Sequence, residues 1–262
     1  MAEMDPMRTV NFDTPLDDAG REEIAALARR QLSAGGLVIK AVNLVGGQVE
    51  DGLKLLPKKT RERIEGAARL GLERAYHLAR KVPKAPKGDG IHRALGTVSG
   101  AIGGIAGLGT ALAELPVATT IIFRAVQGVA ESYGEDPDSE ETRLQCLRVF
   151  GAGAPGAADD GIDTSFLGAR VALTGPALHR LLGKVAPKFA AVMSQKLATQ
   201  AVPILGAVAG AGTNYAFVGY YTEVAHVHFG LRKLARTYGE EQVLEAFHRE
   251  LARRKLPVTM AG

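Results

Sequence analysis

The chain has 262 residues, 46% of them hydrophobic but only 5% aromatic, with no tryptophan. That suits one large domain or two small ones around an aliphatic core. The single cysteine, Cys146, excludes an internal disulfide and a cysteine-based zinc site, and a net charge of +4 without a reader motif or stacking aromatics gives no sign of nucleic-acid binding.

Residues 1–14 read as a tail without the basic and apolar regions of a secretory signal. Neither lipidation box is present, so the expected location is cytoplasmic, peripheral at the inner membrane. Asp13-Thr14-Pro15 predicts a helix start, with Ile24, Leu27, Ala28 and Leu32 on its apolar side. Gly35-Gly36 is expected to interrupt it. A second amphipathic segment (Val38, Ile39, Val42, Val45, Val49, Leu53) should stop at Pro57. Thr60 is the expected cap of a helix over 61–81, with Ile64, Ala67, Ala68, Leu72, Ala75 and Leu78 inward. Residues 54–88 hold eleven Lys or Arg against three acids. The cations Lys54, Lys58, Lys59, Arg61 and Arg63 are candidates for contact with anionic lipid; the bland alternative is a solvated helix face. Residues 82–90 read as a linker.

Residues 94–113 contain no Asp, Glu, Lys or Arg and six glycines. Small residues three and four apart put a smooth groove on a helix. Pro116 is expected to break the chain before a helix over 117–133. Its apolar stripe is Ile122, Val126, Val129 and Tyr133, and its polar stripe is Thr120, Arg124, Gln127 and Glu131. Gly134 reads as the residue that ends the helix. Asp136-Pro137 restarts one with acids in its first turn, continuing through Leu144, Leu147 and Phe150. Residues 151–163 read as a loop. Helices over about 164–184 and 187–200 follow, with a kink at Pro176. Pro203 opens a second charge-free run over 197–222. The chain closes with one helix to Tyr238-Gly239 and another over 241–254. Tyr133-Gly134-Glu135-Asp136 and Tyr238-Gly239-Glu240-Glu241 form an internal echo, either a duplicated unit or ordinary helix punctuation.

The segments LPVATTIIFRAVQGVAESYGEDPDSEETRLQCLRVF (115–150) and VPILGAVAGAGTNYAFVGYYTEVAHVHFGLRKLARTYG (202–239) resemble the EcsC family. The likeness is carried by Leu115-Pro116, Arg124 and Tyr133-Gly134, and later by Pro203, Asn214, Phe217, His228-Phe229, Arg232 and Tyr238-Gly239. It extends over about 91–250 and more weakly from about 40. The apolar Gly219-Tyr220-Tyr221 departs from the family's usual charge there. The resemblance implies a bacterial protein of a family described as membrane-associated. It brings no catalytic residues.

On a continuous final long helix, Asn214, Tyr221 and His228 recur every seven residues and share a face, with Arg232 one turn beyond. Together with Arg124 these are the ligand-binding candidates, suited to an anionic headgroup or carboxylate; the alternative is burial among neighbouring helices. For Arg124 the expected partners are Glu131 or Asp163. Glu223 and His226 have the spacing of a bundle metal pair, but no second pair exists, so they are weak metal candidates. No nucleophile or phosphate-loop motif appears, no catalytic residue is assigned, and no cofactor is expected.

The expected fold is all-α: a compact multi-helix bundle with the two Gly/Ala-rich apolar segments packed centrally. Residues 15–90 form an N-terminal helical region continuous with a core over 91–262. The expected function is a non-enzymatic, membrane-associated protein that binds anionic lipid or acts as a scaffold. The alternatives are a small-molecule or metal-dependent enzyme using Glu223, His226, His228 and Arg232, and a soluble helical interaction module. Ligand identity, partners and oligomeric state are not legible.

Overall fold

The computed structural model describes residues 14–44, 57–78, 108–152, 175–200 and 206–255. Among them run seven helices and no strand: α1 (Asp18–Leu44), α2 (Lys58–Leu78), α3 (Leu108–Ser132), α4 (Glu140–Val149), α5 (Gly175–Gln200), α6 (Gly206–Tyr238) and α7 (Glu240–Lys255). The all-α bundle expected from helical periodicity is the fold.

Helix α6 is the axis. Residues Ala216–Thr222 and Val227–Leu231 are buried without a solvent-facing break. On one side α6 meets α1 and α7 through Ile24, Leu27, Ala28, Val227, Leu231, Leu234, Tyr238, Val243 and Phe247, a mostly aliphatic cluster with two aromatics. The ion pairs Arg30–Glu223 (2.7 Å) and Lys233–Glu23 (3.2 Å) flank this seam. On the other side α6 joins α2, α3, α4 and α5 around Phe123, Phe150, Phe189, Phe217 and Tyr221. Phe150 stacks on Tyr221 at 5.0 Å and meets Phe189 edge-on at 5.1 Å. Few aromatics serve this protein, and most of the large ones gather here, where each removes the most apolar area from water.

Several boundaries differ from the expected ones, each for a local reason. Helix α1 starts at Asp18, where Asp17 Oδ1 accepts from the Gly20 N–H at 2.7 Å, so Asp17 rather than Asp13 does the capping. It runs through Gly35-Gly36, because packing along α6 overrides the weak helix propensity of glycine. Thr60 lies inside α2; the helix starts after Pro57, whose carbonyl accepts from the N–H groups of Thr60 and Arg61. Leu32 and Leu78, expected inward, are exposed.

Pro116 lies within α3 and Pro187 within α5, so neither breaks its helix. At Pro116 the hydroxyls of Thr119 and Thr120 donate to the carbonyls of Leu115 and Pro116 (2.7 and 2.8 Å). There α2 also comes very near: a Cβ at Gly71 would lie 2.8 Å from Thr119 Oγ1 and 3.2 Å from Pro116 Cα. The small residue that permits this close crossing is thus Gly71. Pro176 occupies the first turn of α5, where its missing N–H has no helical partner to lose. Of the charge-free runs, residues 94–107 and 201–205 lie outside the described residues, as do the side chains of 108–114 and 206–214. Ala216–Thr222 of the second run are buried, as expected.

The echoed Tyr-Gly pairs share one geometry. Gly134 has φ +81° and Gly239 φ +87°, the left-handed conformation that glycine adopts without Cβ strain. The bonding differs. Glu135 N–H donates to Ala130 O and Gly134 N–H to Glu131 O, a Schellman motif, whereas Gly239 N–H donates to Ala235 O in the simpler αL form. The first therefore leads into a turn, closed by Asp138 N–H on Asp136 Oδ1, before Ser139 caps α4. The expected restart at Asp136-Pro137 moves accordingly to Glu140.

Candidate functional site

Helix α4 is short and almost wholly inside the protein. From Thr142 to its end every residue is buried, including Arg143 and Arg148. It has no polar stripe to face water, so its polar side chains must find partners within the fold. They do so toward α6 and α2.

The α6 contacts are graded. At the deep end Tyr221 packs on Phe150, its hydroxyl buried with no hydrogen-bond partner. Burial, with Tyr220 beside it, raises its pKa well above the ordinary phenol value. Two turns on, His228 Nε2 lies 2.9 Å from Gln145 Oε1, which also accepts from Arg148 Nη1 at 3.2 Å. The amide oxygen is an acceptor, so Nε2 carries the proton. Burial first, then the Arg148 and Arg232 charges, push the His228 pKa down to about 3. The ring is therefore neutral at pH 7.

Toward the surface, Arg232 Nε donates to Glu135 Oε1 at 2.9 Å, and its Nη2 binds Glu141. Arg236 binds Glu135 as well. Burial opposes the charge on Arg232, but hydrogen bonds to Glu141 and Glu135 outweigh it and hold its pKa above the ordinary guanidinium value. The partners of Tyr221, His228 and Arg232 recede along the chain as Phe150, Gln145 and Glu141, so α4 and α6 run antiparallel. The layer passes from aromatic, through amide and imidazole, to ionic.

Arg143 points the other way. Its Nη1 donates to the Tyr76 carbonyl at 3.3 Å and its guanidinium lies 4.7 Å from the Tyr76 ring centroid. That stacking ties α4 to α2. The Arg143 Nε is buried without a hydrogen-bond acceptor.

The seven-residue face expected on α6 is real for Tyr221, His228 and Arg232, which all meet the α4 segment. The side chain of Asn214 lies outside the described residues. The carboxylates opposite Arg232 are the chain's own. Arg124 is apart: its Nη1 donates to Gln127 Oε1 at 3.2 Å, and Gln127 Nε2 donates to the Pro137 carbonyl at 3.1 Å. Burial, opposed by the Asp138 charge, lowers the Arg124 pKa. Asp163 lies outside the described residues.

Glu223 and His226 face different neighbours, Arg30 on α1 and Tyr133 after α3 (Nδ1 to Oη 3.3 Å). Among the described residues no three His, Cys, Asp or Glu side chains gather as a metal site would need. Cys146 is buried in the core, and desolvation raises its thiol pKa, the state of a structural rather than a reactive cysteine. Of the proposed lipid-contact cations, Lys58, Lys59, Arg61 and Arg63 are exposed on α2; Lys54 lies outside the described residues.

Sequence reading missed Glu135, Glu141, Arg143, Gln145 and Arg148. The available signal was the failure of residues 140–149 to sort into polar and apolar faces despite a strong cap and acidic first turn.

These features define an all-helical protein whose central helix is clamped by a buried polar layer. The EcsC protein family model matches residues 34–161, a little under half of the chain, and over those residues the chain is similar to that family. The matched segment contains α2, α3 and α4 and the first of the two resembling segments; the second lies beyond it. No curated protein and no solved structure matches.

Proposed function

We propose that this protein is a non-enzymatic helical scaffold that associates peripherally with anionic membrane surfaces, on the cytoplasmic side of the inner membrane, with α2 as its contact. The observation that carries this reading is the exposure of Lys58, Lys59, Arg61 and Arg63 in the first turns of α2, on a helix whose opposite face is buried by Ile64, Ala68, Leu72 and Ala75. Cations near an anionic leaflet each contribute about 1 kcal/mol.

The inner polar layer supports a scaffold over an enzyme. His228 is neutral and engaged by Gln145, and Arg232 beyond it is engaged by Glu135 and Glu141. No described helix is long and apolar enough to cross a membrane, which suits contact at a surface.

Flotation with vesicles tests the reading. Purified full-length protein is expected to float with phosphatidylglycerol-containing vesicles at low salt, to release at high salt because exposed charges are screened, and to stay behind with purely zwitterionic vesicles. Failure to float with anionic vesicles at low salt overturns it.

A further inference from the structure

The outer face of α2 is segregated. At about 100° per residue, Lys59, Arg63, Leu70, Arg74 and Leu78 fall within an arc of about 100°. All five are exposed, and Leu70 and Leu78 are each 42% exposed. No carboxylate falls within that arc. Glu62, Glu65 and Glu73 all occupy the other edge of the exposed face, alongside Lys58 and Arg69. Among the described residues no ion pair engages Lys59, Arg63 or Arg74.

A helix face that serves only solubility gains from mixing charge signs at i, i+4 spacing. On α2 the carboxylates stand four residues from Lys58, Arg61 and Arg69, but none stands four residues from Lys59, Arg63 or Arg74, and two leucines stand half out of water on the side of these three cations. Cations interleaved with large apolar side chains fit the boundary between headgroups and acyl chains. A phosphate backbone would match the cations but offer the leucines nothing.

We propose that α2 lies in the plane of an anionic bilayer along this stripe, with Leu70 and Leu78 seated at the top of the acyl region and Lys59, Arg63 and Arg74 on lipid phosphates. The stripe is about 28 Å long, from Lys59 to Leu78. The proposal deepens the peripheral-membrane reading and rests on it. It also divides the cations that sequence grouped together: Lys59 and Arg63 belong to the contact, and Lys58 and Arg61 do not.

The chain contains no tryptophan, so L70W, L78W and, on the acidic edge, E62W each introduce a unique fluorophore at an exposed position. With phosphatidylglycerol vesicles the emission of L70W and L78W is expected to shift to the blue and to be quenched by lipids brominated high on the acyl chain, while that of E62W stays unchanged. The triple reversal K59E/R63E/R74E is expected to weaken vesicle binding by a hundredfold or more, of order tenfold or less per cation removed, and K58E/R61E by much less. Flotation without a shift at Leu70 or Leu78, or equal loss from both sets of reversals, overturns the stripe and leaves the peripheral reading standing. Absence of flotation, or capture by RNA or an acidic protein in place of vesicles, overturns both.

Discussion

The two sides of α6 are built from different materials. Toward α1 and α7 the buried surface is Ile24, Leu27, Val227, Leu231 and Val243, with its ion pairs at the rim. Toward α4 it contains His228, Gln145 and Arg148 alongside the aromatics. Apolar burial is non-directional, so the first side gains stability from any well-packed arrangement. Buried polar groups are directional and expensive when unmatched, so the second side fixes one register of α4 against α6. One side holds the helix; the other says where it sits.

The largest test of this contrast is Leu231→Ala in the apolar cluster. Leu231 is 0% exposed, and such truncations cost about 2–5 kcal/mol. The loss, read as a shift in urea midpoint with unchanged slope, should be the same at pH 7.5 and pH 5.5. A pH-dependent loss would mean the two sides are coupled.

The polar side should respond to acid. The His228 pKa is about 3 in the folded protein against an ordinary 6.5. Below pH 6.5 the unfolded chain binds a proton that the native chain does not, so stability falls as pH falls, by up to about 1.4 kcal/mol per unit, until the folded pKa is reached. Between pH 6.5 and 5 this amounts to about 2 kcal/mol. The carboxylates with lowered pKa values, Asp17 and Glu250, begin at ordinary values near 4, so their contribution starts lower. Denaturation of wild type and His228→Gln across pH 5–7 isolates the effect: the variant should lose the slope assigned to His228. An unchanged slope would place the titration elsewhere.

Gln145→Leu attacks the same side without changing charge. It leaves the His228 Nε2–H without its acceptor and removes one from Arg148, so about 1–3 kcal/mol should be lost. Gln145→Glu is the contrasting variant. A carboxylate beside His228 favours the protonated ring, and its pKa, followed by NMR of the ring protons, should rise.

The difference between the sides also explains what sequence could reveal. The α1–α6–α7 cluster follows the apolar period directly, as Ile24, Leu27 and Ala28 and then Val227, Leu231 and Leu234. The left-handed ends at Gly134 and Gly239 were equally legible, because one residue type carries the geometry. Helix α4 was legible as a helix from its acidic first turn and Leu144 and Leu147, but its burial was not, since a helix buried all round has no face to announce itself. His228 and Arg232 were found by their spacing. Their partners Gln145, Glu141 and Glu135 were not, because those contacts join residues 83, 91 and 97 apart in the chain. The prolines misled for a related reason: a lost backbone bond marks a break only where packing does not hold the helix together, and Pro116 lies under the Gly71 crossing.

The smallest effects concern glycines, where the contrast becomes one of backbone clearance. At Gly71 a Cβ would press on Thr119 and on the backbone at Pro116, which cannot swing aside. Gly71→Ala should cost about 2 kcal/mol. At Gly230, on the α1 side, the nearest atoms are the terminal methyls of Leu27, at 2.7 and 2.9 Å. A side-chain end can move, so Gly230→Ala should cost less, about 1 kcal/mol. Gly66 lies five residues before Gly71 on the same helix, but a Cβ there would meet nothing within 4 Å. Its substitution by alanine removes only the entropic penalty of glycine in a helix, so Gly66→Ala should stabilise by about 0.5–1 kcal/mol. Thermal midpoints of the three variants should fall in the order Gly66→Ala, Gly230→Ala, Gly71→Ala, from highest to lowest. If Gly71→Ala were tolerated as well as Gly66→Ala, α2 would not approach α3 at Pro116, and the explanation for that proline's place inside a continuous helix would go with it.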